Sequence, residues 1–409
     1  MTASSLAEAH QLALGIRQSA RVESNIFGSA TTPITDGTYR INPSLSLGGS
    51  FDRFRGGKYQ ASYRPSYLWY FRSEGVNNFD NKANGSATID ITRRDHLSAS
   101  ASYDEFSSVQ AISQAGADGS FDVLASPAGE TIRAFGDLAY SRSLNQRTNV
   151  RLSLDIQNYS YRQSREILRS NVGNKSVGAV ASYSRGLSDR LTLGASLASR
   201  YRLFDEQPLS GRSEVVVSNL GILGSYRISP RFVFDFQGGP SLISTAPGAV
   251  VGRPQPESND DFTYFADISL TRKIRDSKFR LNYTRNEDAS GGSSRTSVVD
   301  SISASFSSAA DEFWRVDAVL GWSRRQTVDA FLIRDEGSTV PRPFSQETQL
   351  DRAWVSVGAA RRLGERILLR LDFRYQSWTD YKIDGIDQSN QDNYSGSVSL
   401  NYEFPSYVF

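Results

Sequence analysis

The chain of 409 residues contains no cysteine, one methionine and two histidines. Without cysteine there is no disulfide framework, no thiolate metal site and no cysteine nucleophile. The absence also suits a protein that crosses an oxidising compartment. The histidines are His10 and His96. They leave little scope for the general-base chemistry of hydrolases, which favours the side chain whose proton equilibrium lies near working pH. Two histidines without cysteine also cannot build a typical zinc centre. No run of about 18 apolar residues is present, so no segment reads as a membrane-crossing helix. The opening MTASSLAEAHQLALGIRQ shows neither a basic leader nor the apolar stretch of a secretion signal. For an exported protein that leader is expected upstream of this start or already removed. The net charge of +2 gives no strong attraction to nucleic acid. No catalytic residue, cofactor or metal is expected.

The cations present are of one kind. Of 46 basic residues, six are lysines (Lys58, Lys82, Lys175, Lys273, Lys278 and Lys382), which leaves 40 arginines. A guanidinium holds carboxylates, phosphates and hydroxyls at fixed angles and stays charged in partly dry surroundings. Two readings follow: a wall knitted by Arg–Asp/Glu pairs, or a surface that handles a polar ligand.

Hydrophobic residues make up 38% and the mean hydropathy is -0.43. The apolar residues are not clustered; they alternate. Ile367, Leu369, Leu371, Phe373 and Tyr375 fall on one face of a strand, and Arg366, Leu368, Arg370, Asp372, Arg374 and Gln376 on the other. Val150, Leu152, Leu154 and Ile156 oppose Arg151, Ser153, Asp155 and Gln157. Phe279, Leu281 and Tyr283 oppose Arg280, Asn282 and Thr284, and the row Trp314 to Trp322 opposes Arg315, Asp317, Val319 and Gly321. Trp314 and Trp322 fall near opposite ends of one strand, as two interfacial girdles require. A soluble sandwich buries the apolar rows. A membrane barrel turns them toward lipid and keeps the charges in a wet lumen.

The connections decide between the two. Short turns (144–147, 187–190, 228–231, 274–278, 309–312 and 363–366) alternate with longer loops (75–82, 107–129, 207–212, 246–259, 287–294, 328–344 and 382–391). Tight turns on one side and long loops on the other mark a transmembrane barrel with periplasmic turns and extracellular loops. Eighteen runs result: 11–28, 37–52, 57–74, 82–94, 96–107, 130–144, 147–163, 174–188, 190–205, 213–228, 231–246, 260–274, 277–287, 295–308, 312–327, 345–362, 365–380 and 391–404. The expected fold is all-β, a single closed antiparallel transmembrane β-barrel of 16–18 strands over residues 11–409, after a short periplasmic segment at 1–10. Barrels of about that size hold an aqueous channel unless something fills it.

Residues 107–129 form the longest loop, read either as an inward constriction or as an outer loop. The carboxylates Asp260 and Asp261, and Asp384 and Asp387, are placed in loops that either hold calcium or are simply solvated. The chain ends NYEFPSYVF, in which Phe409 and Tyr407 fall in the opposite phase to Tyr402 and Phe404. A one-residue bulge at Pro405 would restore the phase.

Ser24, Asn25, Ile26 and Phe27, then Tyr39, Ile41 and Pro43, then Tyr59, Tyr63 and Tyr67 form a further pattern. In it the opening resembles outer-membrane β-barrel porins of Gram-negative bacteria, a family often associated with exopolysaccharide or capsule export; Ser24 stands where that family often has Asp. The resemblance implies an outer-membrane barrel and points to polysaccharide export. The function expected is a channel for a polar solute or polymer. Its lumen candidates are Arg151, Asp155, Arg280, Arg315, Asp317, Arg370, Asp372 and Arg374. The alternatives are a non-conducting barrel that anchors an envelope complex, and a soluble all-β binding protein. Expected partners are outer-membrane lipid, polysaccharide or small polar solutes, and periplasmic export or envelope components.

Overall fold

A computed structural model describes residues 10–24, 35–51, 56–73, 77–107, 129–163, 173–205, 213–246, 259–288, 297–327, 331–333, 342–344, 349–379, 382–383, 386–387 and 391–408. Among them every regular element is a strand. Eighteen strands build the main sheet. They are β1 (Gln11–Glu23), β2 (Asp36–Ser50), β3 (Lys58–Tyr63, continuing as Ser66–Tyr70), β4 (Asn78–Asp90), β5 (Asp95–Ser107) and β6 (Gly129–Asn145). Then come β7 (Thr148–Gln163), β8 (Asn174–Gly186), β9 (Leu191–Phe204), β10 (Glu214–Ser229), β11 (Phe232–Ala246) and β12 (Asn259–Ile274). The last six are β13 (Ser277–Asp288), β14 (Ser297–Ala309), β15 (Trp314–Thr327), β16 (Gln349–Arg362), β17 (Ile367–Thr379) and β18 (Gln391–Glu403, continuing as Tyr407–Val408). Each strand pairs antiparallel with the next. β18 pairs with β1, Gly15 opposite Glu403 and Glu23 opposite Ser395, so the sheet closes on itself. The protein is a closed 18-stranded antiparallel barrel, and β1 begins and β18 ends at its short-turn end.

The short turns form where side chains take over backbone donors. Asn145 Oδ1 accepts from Arg147 N at 2.9 Å, Ser188 Oγ from Arg190 N at 3.2 Å, and Asp311 Oδ1 from Trp314 N at 2.6 Å. These Asx- and Ser-type turns reverse the chain within a few residues. Gly364, in the LGER turn, has φ +92°, a conformation that glycine adopts without steric cost.

Two prolines sit inside the closed sheet without stranding a donor. Leu45 faces Tyr63 and Ile41 faces Tyr67, a register that sets Pro43 opposite Pro65. Neither carries an N–H, so a gap in one ladder is matched by a gap in its neighbour. Pro405 does bulge its strand. Gly15 faces Glu403 but Leu12 faces Tyr407, so three steps on β1 answer four on β18. The extra residue returns Tyr407 to the outward row, as expected; Phe409 lies outside the described residues.

The outward rows are apolar and bare. Leu152, Leu154, Ile156, Leu220 and Ile222 are 50–64% exposed. No second sheet covers them among the described residues, which removes the soluble sandwich reading. Water-soluble monomers rarely expose a continuous apolar surface larger than a few hundred Å². Among the described residues, the ionised side chains of the outward rows sit toward strand ends. At the short-turn end Arg142 meets Asp95 at 3.7 Å and Arg361 lies over the Trp314 ring at 5.2 Å. At the long-loop end Arg324 forks onto Asp351 with two 2.8 Å bonds and lies 5.3 Å over Trp322. This is the distribution a bilayer imposes, because an outward charge costs most at mid-depth and little near the interfaces.

Candidate functional site: the lumen wall

Alternation carries the polar rows to the inside. The cross-strand register then brings together residues far apart in sequence. Asp317, Gly358 and Asp372 lie in line across β15, β16 and β17. Arg370 reaches both carboxylates from one rung away. Its Nη1 and Nη2 fork onto Asp317 Oδ1 and Oδ2 at 3.0 Å each, its Nε meets Asp372 Oδ1 at 2.8 Å, and its Nη2 meets the same oxygen at 2.6 Å. Such two-pronged geometry is the strong form of a guanidinium–carboxylate contact. The cluster has room because the middle residue is glycine. A Cβ at position 358 would stand 2.5 Å from Arg370 Nη2 and 2.8 Å from both Asp317 Oδ2 and Asp372 Oδ1.

The same device recurs on another part of the wall. Asp155, Gly178 and Arg200 lie in line across β7, β8 and β9, and Arg200 Nη2 donates to Asp155 Oδ2 at 2.8 Å. A Cβ at Gly178 would stand 2.5 Å from Asp155 Oδ1 and 3.1 Å from Arg200 Nε. Of the eight candidates named from sequence, Asp317, Arg370 and Asp372 thus meet in one cluster, and Asp155 meets an arginine that had not been named. The other four take these places in the register. Arg151 lies between Ser141 and Ser182, Arg280 between Thr271 and Ser305, Arg315 between Ala309 and Ala360, and Arg374 between Ser356 and Ser395.

Closure of the barrel creates a grouping that sequence reading missed. On β18, Ser395, Ser397 and Ser399 form a column of inward hydroxyls. Arg370 and Arg374 flank it from β17, and Arg17 and Arg21 from β1. Arg17 Nη2 donates to Ser399 Oγ at 3.4 Å, and Arg21 Nη2 donates to Ser395 Oγ at 3.0 Å and lies 3.1 Å from Glu23 Oε2. Glu23 is further held by Asn393 Nδ2 at 2.7 Å. The missed signal was the inward row of β1 itself, where Arg17, Ser19, Arg21 and Glu23 alternate with Ile16, Gln18, Ala20 and Val22. Beside this seam lies a cavity of about 880 Å³, lined among others by Arg17, Arg40, Arg64, Asn42, Ser399 and Asn401. Arg352, 2% exposed, completes this side. Its Nη2 donates to Gln376 Oε1 at 2.8 Å, and it sits between the Trp354 and Trp378 rings at 5.4 and 5.8 Å.

The long-loop end is built differently. β12 pairs with β13 only as far as Ala266 opposite Arg285. Beyond that point the β13–β14 hairpin runs without β12, and its Glu287 meets Arg202 on β9 in an ion pair with both side chains buried. Val298 of the same hairpin belongs to a buried apolar cluster with Phe204, Val215, Val217 and Ile243. Among the described ion pairs this one spans four strands; the rest join residues of one strand, of neighbouring strands or turns, or of strands two apart.

Several expectations are corrected or fall outside the described residues. Asp260 and Asp261 are strand residues of β12, opposite Ser244 and Ile243, not loop ligands. No group of three His, Asp or Glu side chains suited to a metal occurs among the described residues. Asp384, residues 108–128, the Asn25–Phe27 part of the opening pattern and residues 1–9 lie outside the described residues. His96 sits at the short-turn end, its Nδ1 2.5 Å from Asp90 Oδ1.

The chain is a closed 18-stranded transmembrane β-barrel. No protein-family model matches its sequence, and no curated protein sequence matches it. Its fold is similar to that of the FrpB iron transporter from Neisseria meningitidis (F5-1 variant, apoprotein form). There the TM-score is 0.50 at 8% identity, over 96% of this chain and 81% of that one. It is also similar to OpdQ of Pseudomonas aeruginosa, with a TM-score of 0.44 at 7% identity over 97% and 98% of the two chains. At such identities the likeness concerns the fold.

Proposed function

We propose that this protein is an outer-membrane channel that passes a polar solute or polymer through its arginine-bearing lumen, with exopolysaccharide export as the concrete cargo class. The observation that carries the reading is the direction of the ion pairs. Apart from Arg202–Glu287, the described pairs run along the wall, between strands no more than two apart, so they stiffen the cylinder without bridging it. A wall of fixed, mutually held charges presents a polar track to hydrated solutes and performs no bond chemistry. Outer-membrane lipid is the partner of the outward rows; periplasmic export or envelope components would meet the short-turn rim.

The Arg202–Glu287 arch favours a second reading, a barrel closed at its long-loop end that anchors an envelope complex. Planar-bilayer recording separates the two. A channel gives discrete conductance steps that scale with salt, whereas a closed anchor gives none.

A further inference from the structure

The recess beside the β18–β1 seam has the size and chemistry of a ligand site. Its volume of about 880 Å³ falls within the roughly 300–1,000 Å³ usual for such clefts. Six cationic side chains line it against four carboxylates. Two of those carboxylates are engaged within the wall: Asp80 lies 3.7 Å from Arg40 and Asp104 lies 3.1 Å from Lys82. Arg370 is saturated by Asp317 and Asp372. Arg17 differs, because its described contact is the Ser399 hydroxyl at 3.4 Å rather than a carboxylate. Glu105 accepts from Asn81 Nδ2 at 3.0 Å, and Glu403 lies 3.5 Å from Asn401 Nδ2. Arg17 and Arg64 therefore bring positive charge to a recess that also offers the neutral donors and acceptors Asn42, Ser44, Ser399 and Asn401.

We infer that this recess is a binding subsite for a carboxylate-bearing saccharide. Guanidinium forks match carboxylates two-pronged, and the serine and asparagine groups match sugar hydroxyls, each able to donate or accept. A neutral sugar would gain only the second set of contacts, and a small inorganic anion only the first. The inference deepens the channel reading and rests on it for the presence of solute in the bore.

The test is calorimetric titration of the detergent-solubilised barrel with trigalacturonate and, separately, with maltotriose. Saturable binding of the acid at one site is expected, with the neutral trisaccharide at least about tenfold weaker. Arg17→Gln should weaken acid binding about tenfold. Arg227→Gln, on β10 at the opposite wall, should leave it unchanged. If Arg17→Gln does not assemble, Arg17→Lys takes its place; it keeps the charge, loses the fork, and should still weaken binding severalfold. Absence of acid binding to the wild-type barrel, equal binding of maltotriose, or equal loss in both arginine variants overturns the subsite. Acid binding without any bilayer conductance would instead overturn the channel and leave the subsite standing.

Discussion

Gly358→Ala is the sharpest perturbation of the lumen wall. In an ordinary strand, replacing glycine by alanine is neutral or stabilising by roughly 0.5–1 kcal/mol, because glycine loses the most freedom on folding. Here the new methyl would stand 2.5–2.8 Å from three polar atoms at once, Arg370 Nη2, Asp317 Oδ2 and Asp372 Oδ1. Each tip is flexible alone, but the three hold one another through contacts of 2.6–3.0 Å. Making room breaks at least one arm of the fork. With the three side chains 26–31% exposed, each lost charge-assisted contact is worth about 1 kcal/mol. The sign therefore inverts, and a net loss of about 1–2 kcal/mol is expected. Gly396→Ala is the matched control, since a Cβ there meets nothing within 4 Å. Urea unfolding of the barrel reconstituted in vesicles reads the difference. In a double-mutant cycle with Asp372→Asn, the glycine substitution should lose most of its effect, because the contact it disturbs is already gone. Equal midpoints for Gly358→Ala and Gly396→Ala, or full additivity with Asp372→Asn, would refute the cradle.

Gly178→Ala should act in the same way on Asp155 and Arg200, and the two glycine substitutions should be additive because they occupy separate parts of the wall; the same unfolding assay checks both. Glu287→Gln leaves Arg202 charged and buried without its partner, which costs about 3 kcal/mol or more when such a pair is broken. The β13–β14 hairpin should then leave the mouth, read as faster amide exchange at residues 286–288 and 297–299, and unchanged exchange there would argue against the arch. Ile156→Arg puts a cation on the outward row at mid-strand and should cost about 2–4 kcal/mol, abolishing the heat-modifiable gel shift of the folded barrel. Ser153→Arg, one row inward, should keep that shift; the opposite pattern would mean the rows face the other way.

How much of this was legible beforehand follows from what is local. The side-chain period of a strand is a property of consecutive residues, so Leu152, Leu154 and Ile156 could be assigned to one face and Arg151 and Asp155 to the other without knowing any neighbour. Turn chemistry is equally local: Asn145, Ser188 and Asp311 cap their own reversals. Strand number, the alternation of turns and loops, and even the bulge at Pro405 were thus open to reading. Which charges meet was not. Asp317 and Arg370 are separated by 53 residues, and nothing in either segment says that Gly358 will lie between them. That depends on the register of three strands, and a slip of one residue would send every side chain to the other face. The recess beside the seam depends on more still, because Arg17 and Ser399 become neighbours only when the first strand closes on the last. Sequence alone therefore settled which surface each residue belongs to. The closed sheet settled which residues share a site, because cross-strand contact is decided by register and closure rather than by composition.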